Sequence, residues 1–433
     1  MAKLPPQFEI DIEKLSVRGE GTGRYGTRPV SVAGAFPGER ALVRPQAVRK
    51  TGSRGALLEI VKPRADRREP REPHYLSCSP WSVLPEPLQR EYKKMLAERV
   101  FRLESAEVPL GGPEDVIAAG PEWEYRNKME FSFGTDDEGR ISLGFHERGR
   151  RKALDLFDEC VLAHPRISEV ARLVVHALRE RNAGEKAVKS LVVRYSYKED
   201  RCVAVLYVTD ENFELFDVRT EALKGWKIVL SNPLSPASVI TRELYRTGTD
   251  ELEERIGDVD VFYGSESFFQ INPPAFDELL RYVSESISAN DRLIDLYAGV
   301  GTIGIALARK FHEIVDVERD ASAVRVAHTN AARNGVMRFN AYAGETERYD
   351  LANIIRPEDS VVIDPPRTGM LPKAVKAILE IVPKEFIYIS CNPATQARDY
   401  AALKERYEAC SWCLFDLYPQ TPHVESVLIL RRR

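Results

Sequence analysis

The sequence predicts an α/β protein in three parts: an OB-like β-barrel, a central and mostly antiparallel β (α+β) region, and a C-terminal parallel, Rossmann-like sheet. Three observations lead to this prediction. Short β-type runs separated by glycine-rich turns fill residues 8–62, strand-like segments dominate from 123 to about 260, and strand–helix units repeat after residue 290. At 433 residues, the chain is also longer than one ordinary hydrophobic core requires.

The N-terminal part has the pattern of a small barrel. Runs such as FEIDIEKLSV and GALLEIV alternate with the turns GEGTGRYG, GAFPG and TGSRG, which is typical of OB-type folds. The charged, proline-broken stretch 62–73 then predicts a linker. The helical spacing of 85–104, with its proline start, predicts a helix after it.

The N-terminal part is also basic. Residues 1–72 carry 15 Lys and Arg against nine Asp and Glu, a balance of +6. Because the whole chain has a net charge of −4, the remaining residues sum to −10. This asymmetry is expected of an appended nucleic-acid-binding module, although a solvated charged face would give the same count.

The central and C-terminal parts differ in their period. Between 123 and 260, segments such as YRNKMEFSFG, SLVVRYSY and CVAVLYV predict mostly antiparallel strands, with a helix at 166–181. After 290, each strand leads through a turn into a helix, and this alternation predicts a parallel sheet with helices on both faces. The last two runs, WCLFDLYP and VESVLILRR, predict a closing hairpin at the sheet edge.

The composition is that of a soluble globular protein, with 43% hydrophobic and 30% charged residues. The sequence has no apolar run of 18 residues and no signal-peptide pattern, so we expect a cytoplasmic protein without a membrane partner. Its six cysteines are sparse and unevenly spaced, which predicts a reducing compartment and no disulfide framework.

The stretch DLYAGVGTIG places Gly299, Gly301 and Gly304 on a strand-to-helix turn. Nicotinamide-binding and S-adenosylmethionine-binding folds both use this pattern. Asp295, four residues before the first glycine, favours S-adenosylmethionine, because that part of the strand is usually apolar in dinucleotide-binding proteins. Glu318 ends the next strand, where a carboxylate can bind ribose hydroxyls or simply stabilise a helix N-terminus. The methyl donor is the better interpretation.

Cys391 stands where the strand EFIYIS ends. Free cysteine is commonly buried, so this residue could simply complete the core. However, open α/β sheets bind ligands at the C-terminal ends of their strands, and Asp364-Pro-Pro-Arg ends the preceding strand at the same edge. A thiol at this edge is therefore placed for chemistry.

The chemistry that suits such a thiol is methylation of uracil at C5. A thiolate that adds to C6 gives C5 the carbanion character needed to accept a methyl group. A carboxylate must then remove the C5 proton, and the base must be extruded into a pocket. Glu425, at the start of the apolar run ESVLIL, supplies such a carboxylate, unless it only faces solvent.

Five ordered motifs resemble the RNA uracil-5 methyltransferase family, whose members make 5-methyluridine in ribosomal and transfer RNA. They are FFQINP (268–273), DLYAGVGTIG (295–304), DPPRTG (364–369), SCNPATQARD (390–399) and HVESV (423–427). The resemblance implies a class I Rossmann-like methyltransferase domain at 261–433 and a central RNA-recognition domain at 74–260. The stretch GEGTGRYGTRPVSVAGAFPGE resembles the family's TRAM domain, an RNA-binding barrel, here at 1–62.

The resemblance also implies site residues. Cys391 would be the nucleophile and Glu425 the base. Residues implied to bind the cofactor S-adenosylmethionine or to contact the active site are Gln270, Tyr297, Gly299, Gly301, Glu318 and Asp364. Residues implied to bind the RNA substrate are Arg126, Asn127 and Lys128, in YRNKMEFSFG, and Phe268. Phe268 and Phe269 could equally be core aromatics.

The chain departs from the family at the iron–sulfur cluster that many members hold with four cysteines. Cys78 and Cys160 match the first and last ligand positions, but the two middle cysteines are absent. A four-thiolate cluster therefore cannot form, and we expect no iron–sulfur cluster and no other metal. Cys410 and Cys413, in the run CSWC, are better explained as core or surface thiols than as metal ligands.

The sequence thus favours a methyltransferase that acts on a uridine of structured RNA, ribosomal RNA first and transfer RNA next, as a monomer. Asp-Pro-Pro also resembles the amino-methyltransferase pattern, but Arg367 follows where that pattern has an aromatic residue. Three alternatives stay open: methylation of another base, an inactive RNA-binding factor, and a nicotinamide-dependent oxidoreductase. The sequence does not identify the RNA or the uridine.

Overall fold

The computed structural model describes residues 5–49, 52–105, 107–148, 154–235, 237–346 and 349–433. Within these residues, the strands form a closed barrel, a seven-stranded sheet, a separate hairpin and an eight-stranded sheet. No helix in this part of the chain is long and apolar enough to span a bilayer. The sequence stretch LGFHERGR (143–150) also resembles the family's central RNA-contacting region, and its last two residues lie outside the described residues.

The predicted N-terminal barrel is confirmed as a closed barrel of five strands. These strands are β1 (Phe8–Leu15), β2 (Gly21–Tyr25), β3 (Arg28–Val32), β4 (Arg40–Arg49) and β5 (Gly52–Lys62). They pair in the order β1-β2-β3-β5-β4. Phe8, Ile10 and Ile12 alternate along β1 with exposed residues and fill the barrel core, as the two-residue period of a strand requires.

A helical segment connects the barrel to the two larger sheets. It contains α1 (Tyr75–Cys78), α2 (Glu86–Glu104) and the short strand β6 (Val116–Ile117). Pro85 caps the start of α2, in agreement with the predicted proline start. Phe101 of α2 packs against Trp412, with ring centroids 4.5 Å apart, so this helix lies on the C-terminal sheet.

The central region forms a mostly antiparallel sheet, as predicted. Its strands and helix are β7 (Lys128–Thr135), β8 (Ile141–His146), β9 (Leu154–Phe157), α3 (Pro165–Glu180), β10 (Val188–Ser196), β11 (Arg201–Val208), β12 (Leu223–Leu230) and β13 (Arg242–Gly248). The order is β13-β12-β11-β10-β7-β8-β9, and only β11 and β12 pair in parallel. Val170, Val174 and Leu178 of α3 share one helical face and pack into the core beneath this sheet.

The C-terminal part forms a largely parallel sheet with helices on both faces. After the separate hairpin of β14 (Glu251–Ile256) and β15 (Val259–Gly264), its elements are α4 (Pro273–Ser286), β16 (Asn290–Leu296), α5 (Thr302–Leu307), β17 (Phe311–Glu318), α6 (Ala321–Arg333), β18 (Phe339–Ala343), β19 (Ser360–Ile363), α7 (Pro372–Ile381), β20 (Glu385–Ser390), α8 (Pro393–Leu403), β21 (Tyr407–Phe415) and β22 (Glu425–Arg432). The strand order is β18-β17-β16-β19-β20-β22-β21-β6.

Strand β20 lies inside this sheet and is buried on both faces. Phe386 and Tyr388 pack into one core cluster, and Ile387 and Ile389 pack into the other. A strand covered on both sides is apolar throughout, which explains the continuous run EFIYIS.

The closing strands form the predicted antiparallel hairpin, but not at the outer edge. β22 lies between β20 and β21, and the two-residue β6 pairs with β21 through Leu414 and Phe415 and takes the edge. Two residues are too few to show a period, so no local pattern predicted β6.

Candidate active site

Cys391 and Glu425 come together because β20 and β22 are antiparallel neighbours. Ser390 pairs with Ser426 at the end of the ladder, and the next pair in this register is Cys391 opposite Glu425. Beyond the thiol, the Asn392 side chain accepts a hydrogen bond from Ala394 N and begins α8. A strand-to-helix turn therefore carries the thiol to the end of the sheet, where the carboxylate faces it.

Burial dominates the electrostatics of this pair. The side chain of Glu425 is 2% exposed and receives a hydrogen bond from the Tyr418 hydroxyl (3.4 Å), while its Oε1 accepts none from the described residues. Burial, and next the charge of Asp364, raise the pKa of Glu425 well above its usual range. Burial also raises the pKa of the Cys391 thiol to about 12, with further contributions from Glu425 and Asp364, and the Arg367 guanidinium opposes this rise.

The loop after β19 is held against the thiol by side chains of the SCNPATQARD motif. Asn392 donates a hydrogen bond to the backbone carbonyl of Arg367 (2.8 Å), and Asp399 accepts one from Met370 N (2.9 Å). Arg398 donates to the carbonyl oxygen of Met370 at 3.0 Å. These three side chains position Arg367 near Cys391. Nothing in the local sequence indicated that Asn392, Arg398 and Asp399 would hold this loop.

Gln270 and Asp364 form a second pair at the same sheet edge. Asp364 directly follows β19, and Gln270 Nε2 donates a hydrogen bond to its Oδ2 (3.2 Å). Burial raises the pKa of Asp364 to about 7. The Asn127 side chain donates to the backbone carbonyl of Gln270 at 3.0 Å. The segment expected to contact RNA is thus tied directly to the segment expected to contact the cofactor.

The glycine turn follows β16 at the same edge. Gly301 has φ +82°, and a Cβ there would lie 3.1 Å from an Asp316 oxygen, so glycine fits both the left-handed backbone and the close approach. Glu318 accepts a hydrogen bond from Gly299 N at 3.0 Å. Tyr297, in this turn, also has a positive φ (+67°) and is half-buried. The predicted residues Tyr297, Gly299, Gly301 and Glu318 therefore adjoin one another.

Two buried acids, Asp295 and Asp316, lie beneath this turn, and only Asp295 was predicted from the sequence. Asp295 and Asp316 are register partners on β16 and β17. Gly304 N donates to Asp295 Oδ2 (3.0 Å), whereas neither Asp316 oxygen accepts a hydrogen bond from the described residues. Burial raises the pKa of both groups well above the usual range. The sequence did contain a sign that Asp316 is unusual, because an acid stands inside the otherwise apolar strand pattern EIVDVE.

The residues expected to bind RNA occupy different environments. Phe268 is 71% exposed, whereas Phe269 is 4% exposed and stacks on Tyr263 with ring centroids 4.1 Å apart. Arg126 and Lys128 are half-buried, and burial lowers the pKa of Lys128 to about 8. Phe269 is therefore the core aromatic of the pair, and Phe268 is free to contact a ligand.

A cleft of about 420 Å³ opens onto Cys391. The barrel lines one side through Arg18 and Arg54, and α2 lines another through Lys93. The other ionisable lining residues are Arg148, Arg367, His423 and Glu20, which pairs with Arg54 (3.2 Å), and about half of the lining is apolar. Along this cleft the arginine side chains outnumber the single acid, Glu20, and the cleft reaches the Cys391 thiol, which suits a polyanion that must deliver one base.

Comparison with known proteins decides the family. Residues 91–433 match the sequence pattern of the tRNA (uracil-5-)-methyltransferase family. The chain belongs to this family. It is accordingly an S-adenosylmethionine-dependent RNA (uracil-5-)-methyltransferase, as the sequence motifs predicted.

Relatives of this RNA methyltransferase match along its whole length. An uncharacterized RNA methyltransferase of Halalkalibacterium halodurans is 29% identical to it over 99% of this chain and 97% of the relative. An uncharacterized RNA methyltransferase of Caldanaerobacter subterraneus is also 29% identical, over 98% of each chain. The tRNA (uracil-54, C5)-methyltransferase of Pyrococcus abyssi, solved in complex with S-adenosyl-L-homocysteine, is 23% identical. Its structure matches with a TM-score of 0.76 over 98% of this chain and 100% of its own. The mixed α/β methyltransferase fold is therefore shared over both chains.

Proposed function

We propose that this methyltransferase modifies C5 of one uridine in structured RNA through a covalent bond between Cys391 and C6 of the base. We favour ribosomal RNA as the substrate and transfer RNA next. The observation that carries the proposal is the register of β20 and β22, in which Cys391 and Glu425 are the next opposing pair. A nucleophile and a proton acceptor on adjacent strands can reach the two neighbouring carbons of one pyrimidine ring.

The residues act in sequence. The Cys391 thiol first loses its proton to solvent, the resulting thiolate adds to C6, and the electrons of the C5–C6 double bond move toward O4 to form an enolate. C5 then forms its bond to the methyl group that S-adenosylmethionine would supply, whose bond to the donor sulfur would break. Glu425, as a carboxylate, takes the C5 proton, the electrons of that bond restore the double bond, and the Cys391–C6 bond breaks to release the thiolate. The methylated base leaves, the proton on Glu425 passes to the Cys391 thiolate, and both side chains are again in the state in which Cys391 is a thiol and Glu425 a carboxylate.

S-adenosylmethionine supplies the methyl group when it is bound. The residues present fit this cofactor: the turn at Gly299 has nothing within 4 Å of a Cβ position, so space lies in front of it. Glu318 lies beside that space and offers a carboxylate to ribose hydroxyls. Gln270 and Asp364 form the side of the site that faces Cys391. We propose these residues, with Tyr297, as the cofactor-binding set.

We further propose that the barrel is an RNA-binding TRAM domain and that 74–260 and 261–433 are the RNA-recognition and catalytic domains. Arg18 and Arg54 of the barrel line the cleft that contains Cys391, which supports a role in guiding RNA. Arg126, Asn127, Lys128 and the exposed Phe268 are the proposed contacts to the extruded base and its neighbours. The enzyme would act in the cytoplasm, where its substrate RNAs are, as a monomer.

Mapping of 5-methyluridine tests the proposal. Ribosomal and transfer RNA from cells with and without the gene should differ at one uridine or a few. The site should regain its methyl group when the wild-type gene is restored, but not when Cys391→Ala is restored. Identical maps, or the loss of a methyl group from an atom other than uracil C5, would contradict the proposal.

A further inference from the structure

Four potential metal ligands converge between the linker and the central sheet. They are Glu72, His74, Cys78 and Cys160, and their ligand atoms all lie within 4.8 Å of one another. Glu72 Oε2 lies 3.3 Å from His74 Nε2, 3.7 Å from Cys78 Sγ and 3.8 Å from Cys160 Sγ. In a tetrahedral zinc site with bonds of about 2.0–2.3 Å, neighbouring ligand atoms are about 3.3–3.8 Å apart. The three distances fit that geometry.

His74 provides independent evidence for a ligand. Its side chain is 4% exposed and stacks on Phe157, with ring centroids 4.2 Å apart. Neither ring nitrogen forms a hydrogen bond with any residue that the structure describes. A buried imidazole whose nitrogens form no hydrogen bond costs free energy, and such a ring is normally hydrogen-bonded or coordinated to a metal. Here the ring points Nε2 at the carboxylate of Glu72, toward the two sulfur atoms.

The family's iron–sulfur cluster does not fit these residues. Such a cluster takes four cysteine thiolates, whereas this site offers two, together with one imidazole and one carboxylate. Ligand atoms that lie within 4.8 Å of one another also surround the volume of one ion, not that of a cube of iron and sulfide. The missing middle cysteines therefore changed the kind of metal site that this region can form.

We propose that Glu72, His74, Cys78 and Cys160 bind one zinc ion. Mixed sulfur, nitrogen and oxygen ligands in tetrahedral arrangement suit Zn²⁺, which is borderline-soft and has no redox chemistry of its own. Two thiolates, one carboxylate and a neutral imidazole leave the metal site with a charge of about −1. Cys78 is only half-buried, which gives the ion a path from solvent.

The position of the ligands defines what the zinc ion does. Val161 N donates a hydrogen bond to the Glu72 carboxylate, which joins the linker to the loop after β9. That loop pairs through its backbone with the segment containing Arg126, because Arg126 N donates to Leu162 O (2.9 Å) and His164 N donates to Arg126 O (3.0 Å). The zinc ion would therefore hold the end of the linker, at Glu72 and His74, next to the segment that contains Arg126 and is proposed to bind RNA. Its role would be structural.

Elemental analysis of the full-length protein tests this assignment. Protein from cells supplied with both zinc and iron should contain about one zinc ion per chain and almost no iron. Cys160→Ser and Cys78→Ser should each lower the zinc content severalfold, whereas Cys410→Ser, at an exposed cysteine on β21, should leave it unchanged. The wild type should also release its zinc to a strong chelator.

Cobalt substitution gives a readout that does not depend on whether a variant folds. Wild-type protein reloaded with Co²⁺ should show thiolate charge-transfer absorption in the near ultraviolet and the visible bands of a tetrahedral ion. Three results would overturn the assignment: wild-type protein without zinc, a cobalt spectrum without thiolate absorption, or stoichiometric iron with a brown chromophore. A disulfide between Cys78 and Cys160 in freshly isolated protein would do the same.

Discussion

At the scale of single residues, burial keeps the thiol of Cys391, the proposed nucleophile, protonated at neutral pH. Burial raises the pKa of the Cys391 thiol to about 12, and the charges of Glu425 and Asp364 act in the same direction. Only the thiolate attacks carbon, so the resting enzyme is protected from side reactions at neutral pH. Arg367 is the cation that opposes this shift. We therefore interpret Arg367 as a positioning residue that stabilises the thiolate.

The thiol chemistry has a pH dependence with a definite sign. Because the pKa of Cys391 is raised, its thiolate fraction should rise about tenfold per pH unit between about pH 7 and 10, without a plateau. Alkylation of the Cys391 peptide by iodoacetamide, followed by mass spectrometry, measures this. Arg367→Gln raises the pKa further and should slow the alkylation about 3- to 10-fold. Alkylation of the exposed Cys410 in the same sample is the control. An alkylation rate of Cys391 that levels off near neutral pH would contradict the account.

Neighbouring phenylalanines give a second test at this scale. Phe269→Ala removes a buried ring from its stack on Tyr263 and should lower the free energy of unfolding by about 3–5 kcal/mol. Phe268→Ala should change it by less than about 0.5 kcal/mol, because the ring is exposed, yet should raise the KM for RNA severalfold. Denaturant unfolding and steady-state kinetics separate the two effects. A Phe268→Ala variant with normal kinetics would remove this residue from the substrate site.

At the scale of elements, the arrangement of β20, β22 and β21 creates the site. β22 enters the sheet antiparallel to β20, so its first residue faces the first residue after β20. Gln396 of α8 fixes this register, since it donates to Tyr388 O (2.8 Å) and accepts from the Ser426 hydroxyl (2.6 Å). The closeness of Cys391 and Glu425, the proposed catalytic pair, is therefore a consequence of strand order.

The limits of sequence reasoning are clearest at this scale. Strand and helix periods predicted the βα units, the barrel and α3, because long periodic runs contain their own evidence. The insertion of β22 beside β20 and the edge pairing of β6 depend on contacts across more than 30 residues, and no local pattern encodes them. Likewise, Cys391 and Glu425 were predictable as residue types in motifs, whereas Glu72 and His74 gave no signal because a glutamate and a histidine shortly before Cys78 match no known metal-binding spacing.

At the scale of the whole molecule, the barrel packs against the rest of the chain and lines one side of the cleft that contains Cys391. Trp81 donates a hydrogen bond to Gly19 O (3.0 Å), and Leu15 and Phe36 of the barrel pack with Trp81 in one buried cluster. Removal of the barrel would expose this apolar surface, so point substitutions test its role better than a deletion does.

Arginines of the barrel should contribute to RNA binding through phosphate contacts. Arg18→Ala and Arg54→Ala should each weaken binding and reduce the slope of log K against log salt by about 0.7–0.9. Arg40→Ala is the matched control, since Arg40 lies on the same barrel, pairs with Asp11 (2.8 Å) and does not line the cleft. Binding isotherms at several salt concentrations measure the slopes. Equal slopes for all three variants would make the basic barrel an ordinary solvated surface.

The central claim is that Cys391 forms a covalent bond to C6 of the base and that Glu425 then removes the C5 proton. The variant Glu425→Gln tests this claim most directly. The amide preserves the shape of the side chain, so addition and methyl transfer should proceed, but it cannot accept the C5 proton and elimination should stall. Unmodified RNA should then accumulate on the variant as a denaturant-stable band that carries label from the methyl group. The band should be absent when Cys391→Ala is added, and absent from Glu385→Gln, which alters a buried acid at the other end of β20. Normal turnover of Glu425→Gln, or an inactive variant without any adduct, would contradict the account.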